Sequence, residues 1–144
     1  MADTYLVIAQ ALVVRNGKLL LLHRAAHRDH APGLWEPVTG KLDAGEDPRD
    51  GAAREVAEET GLAVEFARRP YDTYFFRRGV KQENAVAIAF VARALNDAVT
   101  LSDEHDAFRW VPFAELAKEQ APPGLAPSYA RLARDGSALR FDDT

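Results

Sequence analysis

The stretch from Gly40 to Leu62 constrains this chain more than any other, because it combines a glycine-containing loop with one well-marked helix. Asp47 is a good N-cap residue, and Pro48 suits the first helical position, where a missing N–H costs nothing. Gly61 suits the left-handed residue that commonly ends a helix. The sequence therefore predicts a helix between Asp47 and Gly61.

Three glutamates share one arc of this predicted helix. At about 100° per residue, Glu55, Glu58 and Glu59 fall within an arc of roughly 100°. Like charges at i+3 and i+4 repel by about 0.2–0.5 kcal/mol per pair, and Glu59 stands at the wrong end of the helix dipole for an anion. A solvated acidic face tolerates this repulsion, whereas a site for Mg²⁺ or Mn²⁺ exploits it, because these ions prefer clustered oxygen ligands.

The spacing of the specified residues resembles the Nudix box, G-x5-E-x7-R-E-U-x-E-E-x-G-U, in which U is an apolar residue. All nine specified positions match, and seven require a single residue type, so a chance match is roughly 10⁻⁸ per starting position. On this stretch the chain is identified as a member of the Nudix hydrolase family. The matching residues are Gly40, Glu46, Arg54, Glu55, Val56, Glu58, Glu59, Gly61 and Leu62.

Length and composition predict a single domain, residues 1–144, with a real core, since 47% of the residues are hydrophobic. Two apolar stretches, Tyr5 to Arg15 and Lys18 to Arg24, are typical of strands, and Asn16-Gly17 between them is a strong hairpin signal. Further strand-like stretches follow the central helix, and short helices come last. This order predicts an α+β fold with a mixed sheet between helices (αβα), which is also the Nudix fold that the box implies.

The pattern of apolar residues, prolines and glycines predicts the remaining strands, loops and helices. Asn84 to Leu95 is almost continuously apolar, which predicts a strand buried on both faces. Pro37 predicts an edge or irregular strand for Trp35 to Val38, and Gly45 predicts a tight loop from Gly40 to Glu46. Further strands are predicted at Ala63 to Arg69, at Tyr71 to Arg78 and at the end of Leu101 to Val111. Short helices are predicted at Phe113 to Glu119 and at Ser128 to Arg134. The tail around Phe141 is predicted to be frayed.

Charge and composition limit the partners. The net charge of −4 argues against a nucleic-acid polymer. No cysteine is present, which excludes a disulfide framework, a thiolate metal site and a cysteine nucleophile. No run has the apolar length of a membrane span, and the N-terminus lacks a signal pattern. We therefore expect a cytoplasmic monomer or homodimer whose partner is a small nucleotide or a nucleotide-like diphosphate.

The resemblance implies metal-dependent chemistry at the box. Members of the family mostly hydrolyse a diphosphate linked to another moiety, by metal-assisted attack of water on phosphorus. The expected cofactor is Mg²⁺, for which Mn²⁺ can substitute, and an ion pair between Arg54 and Glu46 is expected to hold loop and helix together. The resemblance assigns metal binding to Gly40, Glu55, Glu58 and Glu59, catalysis to Glu58, Glu59, Arg54 and a general base, and structural roles to Glu46 and Gly61.

The identity of the general base stays open between two places. In some relatives the base is a box glutamate, and in others it is an acidic residue of a later loop. Glu104 is the best loop candidate, because its setting resembles the glutamate-histidine stretch of dihydroneopterin triphosphate pyrophosphatases. A solvated acidic loop is the competing interpretation. His105 could orient a water molecule, although the sequence shows no partner for it.

The residues before the box suggest a substrate class. Trp35-Glu36-Pro37-Val38-Thr39-Gly40 resembles the Trp-x-x-Val-Thr-Gly entrance of the dihydroneopterin triphosphate and dATP pyrophosphatase group. This likeness favours hydrolysis of a nucleoside or pterin triphosphate, or of a related diphosphate-linked compound, with release of pyrophosphate or a monophosphate. Substrate contacts are expected from Trp35, and phosphate contacts from Arg24 and Lys41.

Other interpretations stay open at this point. A diadenosine polyphosphate hydrolase, a nucleotide-sugar hydrolase and a non-catalytic nucleotide-binding Nudix module are alternatives. Isopentenyl diphosphate isomerases also carry the box, but they use a catalytic cysteine, which this chain lacks. The loop from Ala25 to Leu34, with His27 and His30, is either an anion-contacting loop, a metal-binding loop or plain surface. Four aromatic side chains either stack on a nucleobase or pack in the core, namely Tyr71, Tyr74, Phe75 and Phe76.

Overall fold

A computed structural model describes residues 3–141 of the chain. Eight strands form one sheet within those residues. The strands are β1 (Leu6–Arg15), β2 (Lys18–Arg24), β3 (Trp35–Glu36), β4 (Val38–Lys41), β5 (Val64–Phe66), β6 (Asp72–Arg78), β7 (Glu83–Ala94) and β8 (His105–Pro112). The helices are α1 (Pro48–Thr60) and α2 (Ala126–Asp135), with 3₁₀ turns at Phe113–Lys118 and Gly136–Ala138.

The sheet is mixed and is built around β1. This strand runs parallel to β7 and antiparallel to β2 and β4. Beyond β7 lie β5 and β6, and beyond β2 lie β3 and β8, all of them antiparallel to their neighbours. Strand β7 is buried on both faces only from Ala89 to Ala92, whereas in its first half one face is buried and the other is partly exposed, so its apolar sequence predicted more burial than the structure has. The Asn16-Gly17 turn joins β1 to β2 as expected.

The two faces of the sheet carry separate cores. On one face, Ala52 and Val56 of α1 pack with Val13 and Phe90. On the other face, helix α2 closes the core. Its residues Tyr129 and Leu132 pack there in one cluster with Leu12, Leu21, Val91 and Leu116. A helix on each face of a mixed sheet confirms the predicted αβα layering of the Nudix fold.

Helix α1 has the predicted bounds. Asp47 adopts an extended backbone, and its side chain accepts a hydrogen bond from the backbone N–H of Arg49 at 3.0 Å. Gly61 lies in the left-handed region with φ +67°, and its N–H donates to the carbonyl of Ala57. These caps satisfy backbone groups that the ends of a helix leave unpaired.

Several predicted elements differ from the structure. The predicted tight loop from Gly40 to Glu46 is shorter, because β4 continues through Gly40 to Lys41, where it pairs with β1. Pro37 divides the predicted strand at Trp35 to Val38 into β3 and β4. The strand predicted at Ala63 to Arg69 is confined to β5. The strand after the acidic loop, β8, is longer than predicted. The helix predicted at Phe113 to Glu119 is a 3₁₀ turn. No helix within residues 3–141 has the length and apolarity to cross a membrane.

Replacing Gly61 with alanine is expected to lower the free energy of unfolding by about 1 kcal/mol. An L-residue in the left-handed region costs roughly 1–2 kcal/mol, and part of that cost is offset by the lower entropy of the unfolded chain. There is space for the added methyl group, since its nearest neighbour would be Thr100 Cβ at 3.7 Å. Urea denaturation measures the change. Gly61→Asn should lose less, and equal losses in both variants would contradict a conformational cause.

Candidate active site

A cavity of about 420 Å³ opens beside the N-terminal part of the box. Strands β1 and β4 line one side, the loop between β2 and β3 covers another, and helix α1 contributes two glutamates. The predicted site residues in its wall are Arg24, Gly40, Lys41, Glu55, Glu58 and Glu104. The fold therefore brings together residues that lie far apart in the sequence.

Gly40 and Glu55 are in direct contact at this cavity. A Cβ atom built on Gly40 would overlap the carboxylate of Glu55. The backbone of Gly40 does not lie in the left-handed region, so the need for glycine here is one of space. Strand β4 and helix α1 can therefore approach closely only because this position carries no side chain.

Arg54 connects the box loop to the helix. Its Nε and Nη2 atoms donate to the two carboxylate oxygens of Glu46 at 2.8 and 3.0 Å, which is the predicted ion pair. Its Nη1 atom donates to Glu55 at 2.9 Å, and Nη2 also donates to the carbonyl of Lys41 at 3.2 Å. A planar guanidinium can serve such partners together, because its five N–H groups form a fixed fork.

Glu46 is strongly held in its ionised form. The hydrogen bonds from Arg54 are the largest cause that lowers the pKa of Glu46 from 4.5 to about 2. A second cause is the backbone N–H of Asp43, which donates to Glu46 Oε1 at 3.0 Å. The loop before α1 is thus fixed at both its start and its end.

Glu59 is buried, unlike an ordinary surface carboxylate. Only 2% of the residue is exposed, and neither carboxylate oxygen has a hydrogen-bond partner within the described structure. Burial raises the pKa of Glu59, and the neighbouring carboxylate of Glu55 raises it further. Such an unpaired buried carboxylate is rare and costly, so its site suits a ligand that pairs with oxygen atoms.

A line of buried polar groups leads from the cavity to Glu59. Arg24 Nη1 donates to Glu36 Oε2 at 2.9 Å, and His105 Nε2 lies 3.0 Å from the same oxygen. The other ring nitrogen, His105 Nδ1, lies 3.8 Å from Glu59 Oε1. Basic and acidic side chains therefore follow one another through the interior, in the order Arg24, Glu36, His105 and Glu59.

Glu104 also lines the cavity, and it lies on the loop before β8. Half of its side chain is exposed, and its Oε2 atom lies 3.2 Å from Arg28 Nη1. Its carbonyl accepts hydrogen bonds from the backbone of Ala25 and from the guanidinium of Arg28. The loop between β2 and β3 is therefore fixed to the loop that carries Glu104.

Residues 5–132 match the NUDIX domain, which is most of the chain. The chain belongs to the NUDIX family. Among solved structures, the Nudix fold found here superposes on a MutT protein from Methanosarcina mazei Go1 with a TM-score of 0.80. The two are 27% identical, and the match covers 94% of this chain and 98% of that one.

Two curated relatives differ in how much of their length this chain covers. The NUDIX chain is 38% identical over 118 residues to an octanoyltransferase from Myxococcus xanthus, covering 81% of this chain and 32% of that protein. It is 32% identical over 114 residues to a MutT-like protein from Streptomyces ambofaciens, covering 79% and 68% respectively. The chain thus spans between about a third and two thirds of the length of these two relatives.

The donor atoms at the NUDIX box suit a divalent cation of the Mg²⁺ type. Within residues 3–141, no three acidic or histidine side chains already stand in a closed ligand arrangement. Arg54 contacts Glu55 at 2.9 Å and Glu58 at 3.4 Å. A cation bound here would compete with Arg54 for these two carboxylates, and Glu59 has two further oxygens without partners. Hard oxygen donors in such number fit Mg²⁺ or Mn²⁺.

Arg24 and Trp35 were predicted to contact the substrate, and both have neighbours in the structure that the sequence did not indicate. Arg24 lines the cavity, but its Nε atom donates to the carbonyl of His30 and its Nη1 atom to Glu36, so Nη2 is the nitrogen left for a ligand. Trp35 is outside the cavity lining and packs between the ring of His23 and the guanidinium of Arg109. The roles of both residues toward a substrate stay predictions.

Sequence reasoning missed part of the cavity wall. The sequence does not indicate that Glu36 is part of the cavity wall, because this residue stands alone between Trp35 and Pro37. Gln10 sits in an apolar strand, yet its side chain accepts from the Tyr74 hydroxyl at 2.8 Å and donates to Thr39 Oγ1 at 3.3 Å. A polar residue inside a buried strand is the one signal that could have identified this network.

We expect the wild type to melt at a higher temperature than Glu46→Gln at neutral pH, and we expect this difference to disappear at low pH. The folded-state pKa of Glu46 is depressed to about 2 from 4.5, so its stabilising contribution is present above pH 4.5 and is lost as the pH falls toward 2. Melting both proteins between pH 7 and pH 2 measures the difference. An advantage that stays constant down to pH 2 would show that Glu46 is not held as a carboxylate by Arg54.

Proposed function

We propose that this chain hydrolyses a diphosphate linkage in a nucleoside triphosphate or a pterin triphosphate, with Mg²⁺ as cofactor. The observation that carries the proposal is the presence of Glu55 and Glu58 in the wall of one cavity, with the buried, unpartnered Glu59 next to Glu58 on the same helix. Membership of the NUDIX family and the likeness to proteins named MutT support it. Water attacks phosphorus, and pyrophosphate or a monophosphate leaves.

The box residues would hold the metal. Glu55, Glu58 and Glu59 offer carboxylate oxygens, and the close approach of β4 at Gly40 adds a backbone strand to the same corner. A divalent cation bound there neutralises phosphate oxygens and makes water a better nucleophile. Arg54 holds Glu55 in place before the metal binds, through the hydrogen bond at 2.9 Å.

Cationic side chains surround the part of the cavity where phosphates would lie. Lys41 follows Gly40, Arg28 reaches in from the loop after β2, and Arg77 and Arg78 come from the end of β6. Burial lowers the pKa of His30, and the charges of nearby arginines lower it further. His30 is therefore neutral at pH 7, so the arginines and Lys41 provide the positive charge.

The cavity wall also carries aromatic side chains that suit a flat heterocycle. The rings of Tyr74 and Phe76 both line it, with their centroids 5.7 Å apart. Tyr74, Gln10 and Thr39 form one hydrogen-bonded row along the same wall. Burial raises the pKa of Tyr74, so its hydroxyl keeps its proton and remains a donor. Aromatic faces with a side-chain amide are suited to stack on a base and to bind its edge.

The choice of a nucleoside or pterin triphosphate rests on two supports. The first is this aromatic wall, and the second is the likeness of Trp35 to Gly40 to the dihydroneopterin triphosphate and dATP pyrophosphatases. The names of the relatives above do not specify that group. A panel of nucleoside triphosphates, a pterin triphosphate, dinucleoside polyphosphates and nucleotide sugars, assayed with and without Mg²⁺, tests the proposal. Absence of turnover with every compound in Mg²⁺ and in Mn²⁺ would contradict it and favour a binding module.

Glu104 is proposed as the general base. It lines the cavity on the loop before β8, and half of its side chain is exposed. The glutamates of helix α1 lie close together and are suited to hold metal. Metal binding and water activation are therefore assigned to two different elements of the cavity wall.

We expect Glu104→Gln to lower kcat by about 10²–10⁴, the usual effect of losing a general base, with little change in the Mg²⁺ concentration that gives half-maximal rate. Glu59→Gln should shift that concentration upward as well. Titration of both variants with Mg²⁺, using one good substrate from the panel, separates the two roles. Asp103→Asn is the matched control, because Asp103 is an exposed neighbour in the same loop. A Glu104→Gln enzyme within a few-fold of the wild type would move the base to helix α1.

A further inference from the structure

Three buried polar atoms face one another without hydrogen-bond partners behind the cavity. They are His105 Nδ1 and the two carboxylate oxygens of Glu59. His105 Nδ1 and Glu59 Oε1 are 3.8 Å apart, and the side chains are 1% and 3% exposed. Since buried polar atoms are nearly always paired, three unpaired atoms in one place indicate a contact that forms when the site is in use.

The imidazole of His105 is fixed from its other side. His105 Nε2 lies 3.0 Å from Glu36 Oε2, and Arg24 Nη1 donates to the same oxygen. An ionised carboxylate only accepts hydrogen bonds, so Nε2 carries a proton and Nδ1 is directed at Glu59. Packing in the core alone does not explain why an unpaired nitrogen is directed at a carboxylate of the box.

The sheet explains how these groups meet. Glu36 is on β3, Arg24 is on β2 and His105 is on β8, and β2 lies between the other two strands. The register of β2 and β8 shifts between His23 and Arg24, where Arg24 comes to pair with His105. Such an irregularity changes the direction of the side chains that follow it. The three strands therefore bring the side chains of Arg24, Glu36 and His105 together in the interior, next to helix α1.

We propose that His105, anchored by Glu36, is a positioning residue that holds the carboxylate of Glu59 for metal binding. A movement of about 1 Å brings Nδ1 and Oε1 within hydrogen-bond distance, whichever atom carries the shared proton. This inference rests on the proposed function, because it takes Glu59 as a metal ligand. Residues that orient a metal ligand in this way typically change metal affinity or activity by 10–100-fold when they are replaced.

Two substitutions separate the two sides of the imidazole. The amide of His105→Asn keeps a hydrogen-bonding group near the position of Nδ1, which faces Glu59. The amide of His105→Gln keeps one near the position of Nε2, which faces Glu36. Binding of Mn²⁺ to the protein without substrate is measured from the electron paramagnetic resonance signal of the free ion. We expect His105→Gln and His105→Ala to bind Mn²⁺ roughly 10–100-fold more weakly than the wild type, and His105→Asn to stay within a few-fold of it.

The control is His23→Gln, which alters a histidine that contacts a carboxylate, Asp106, away from the box. Its Mn²⁺ affinity should equal that of the wild type. Melting temperatures are measured for every variant, and if His105→Ala does not fold, the contrast between the Asn and Gln variants decides. Equal Mn²⁺ affinity in the Asn and Gln variants, at any level, would overturn the positioning role and leave the proposed function standing. A wild type that binds no Mn²⁺ would overturn the metal site itself, and this inference with it.

Discussion

Burial of the Glu59 carboxylate is the constraint on which the rest of this structure depends. An ionised carboxylate in the interior would cost several kcal/mol, and for this reason burial raises the pKa of Glu59. The helix dipole at the end of α1 is also unfavourable for a negative charge. The position of the helix is therefore held by strong features elsewhere. Asp47 and Gly61 cap its two ends, and Ala52 and Val56 pack it against the sheet.

The charges around Glu59 are organised on two sides. On the solvent side, Arg54 pairs with Glu46 and draws Glu55 and Glu58 together, which limits the repulsion among the box carboxylates. On the buried side, Arg24 and His105 surround Glu36. Each of these two clusters contains its own opposite charges. Glu59 lies between them with no partner of its own, which leaves it available to a cation.

Local signals in the sequence were enough to predict helix α1, because caps act within a short stretch of chain, and the Arg54 to Glu46 pair was expected from the resemblance to the Nudix family. The sheet was predictable as a type but not in its pairing. Continuation of β4 through Gly40 depends on β1, which lies about 30 residues earlier in the chain. The contact of Gly40 with Glu55 likewise depends on how the helix packs against that strand.

Buried polar partners were the part of the site that the sequence could not supply. Glu36 and His105 lie 69 positions apart, and neither one forms a local pattern. His105 was assigned no partner for this reason, although the fold gives it two carboxylate neighbours. Trp35 shows the opposite case, since the motif that contains it suggests a substrate contact while the fold packs it between His23 and Arg109.

The most direct test of the central claim, that Glu59 is buried unpaired in order to meet a cation, is to locate that cation. Crystals grown with Mn²⁺ and a non-hydrolysable triphosphate, measured at a wavelength where manganese scatters anomalously, show where the ion sits. The predicted result is an anomalous peak in the corner formed by Glu55, Glu59 and Gly40, within coordination distance of a Glu59 oxygen. A peak elsewhere in a protein that turns over its substrate, with Glu59 still unpaired, would contradict the claim.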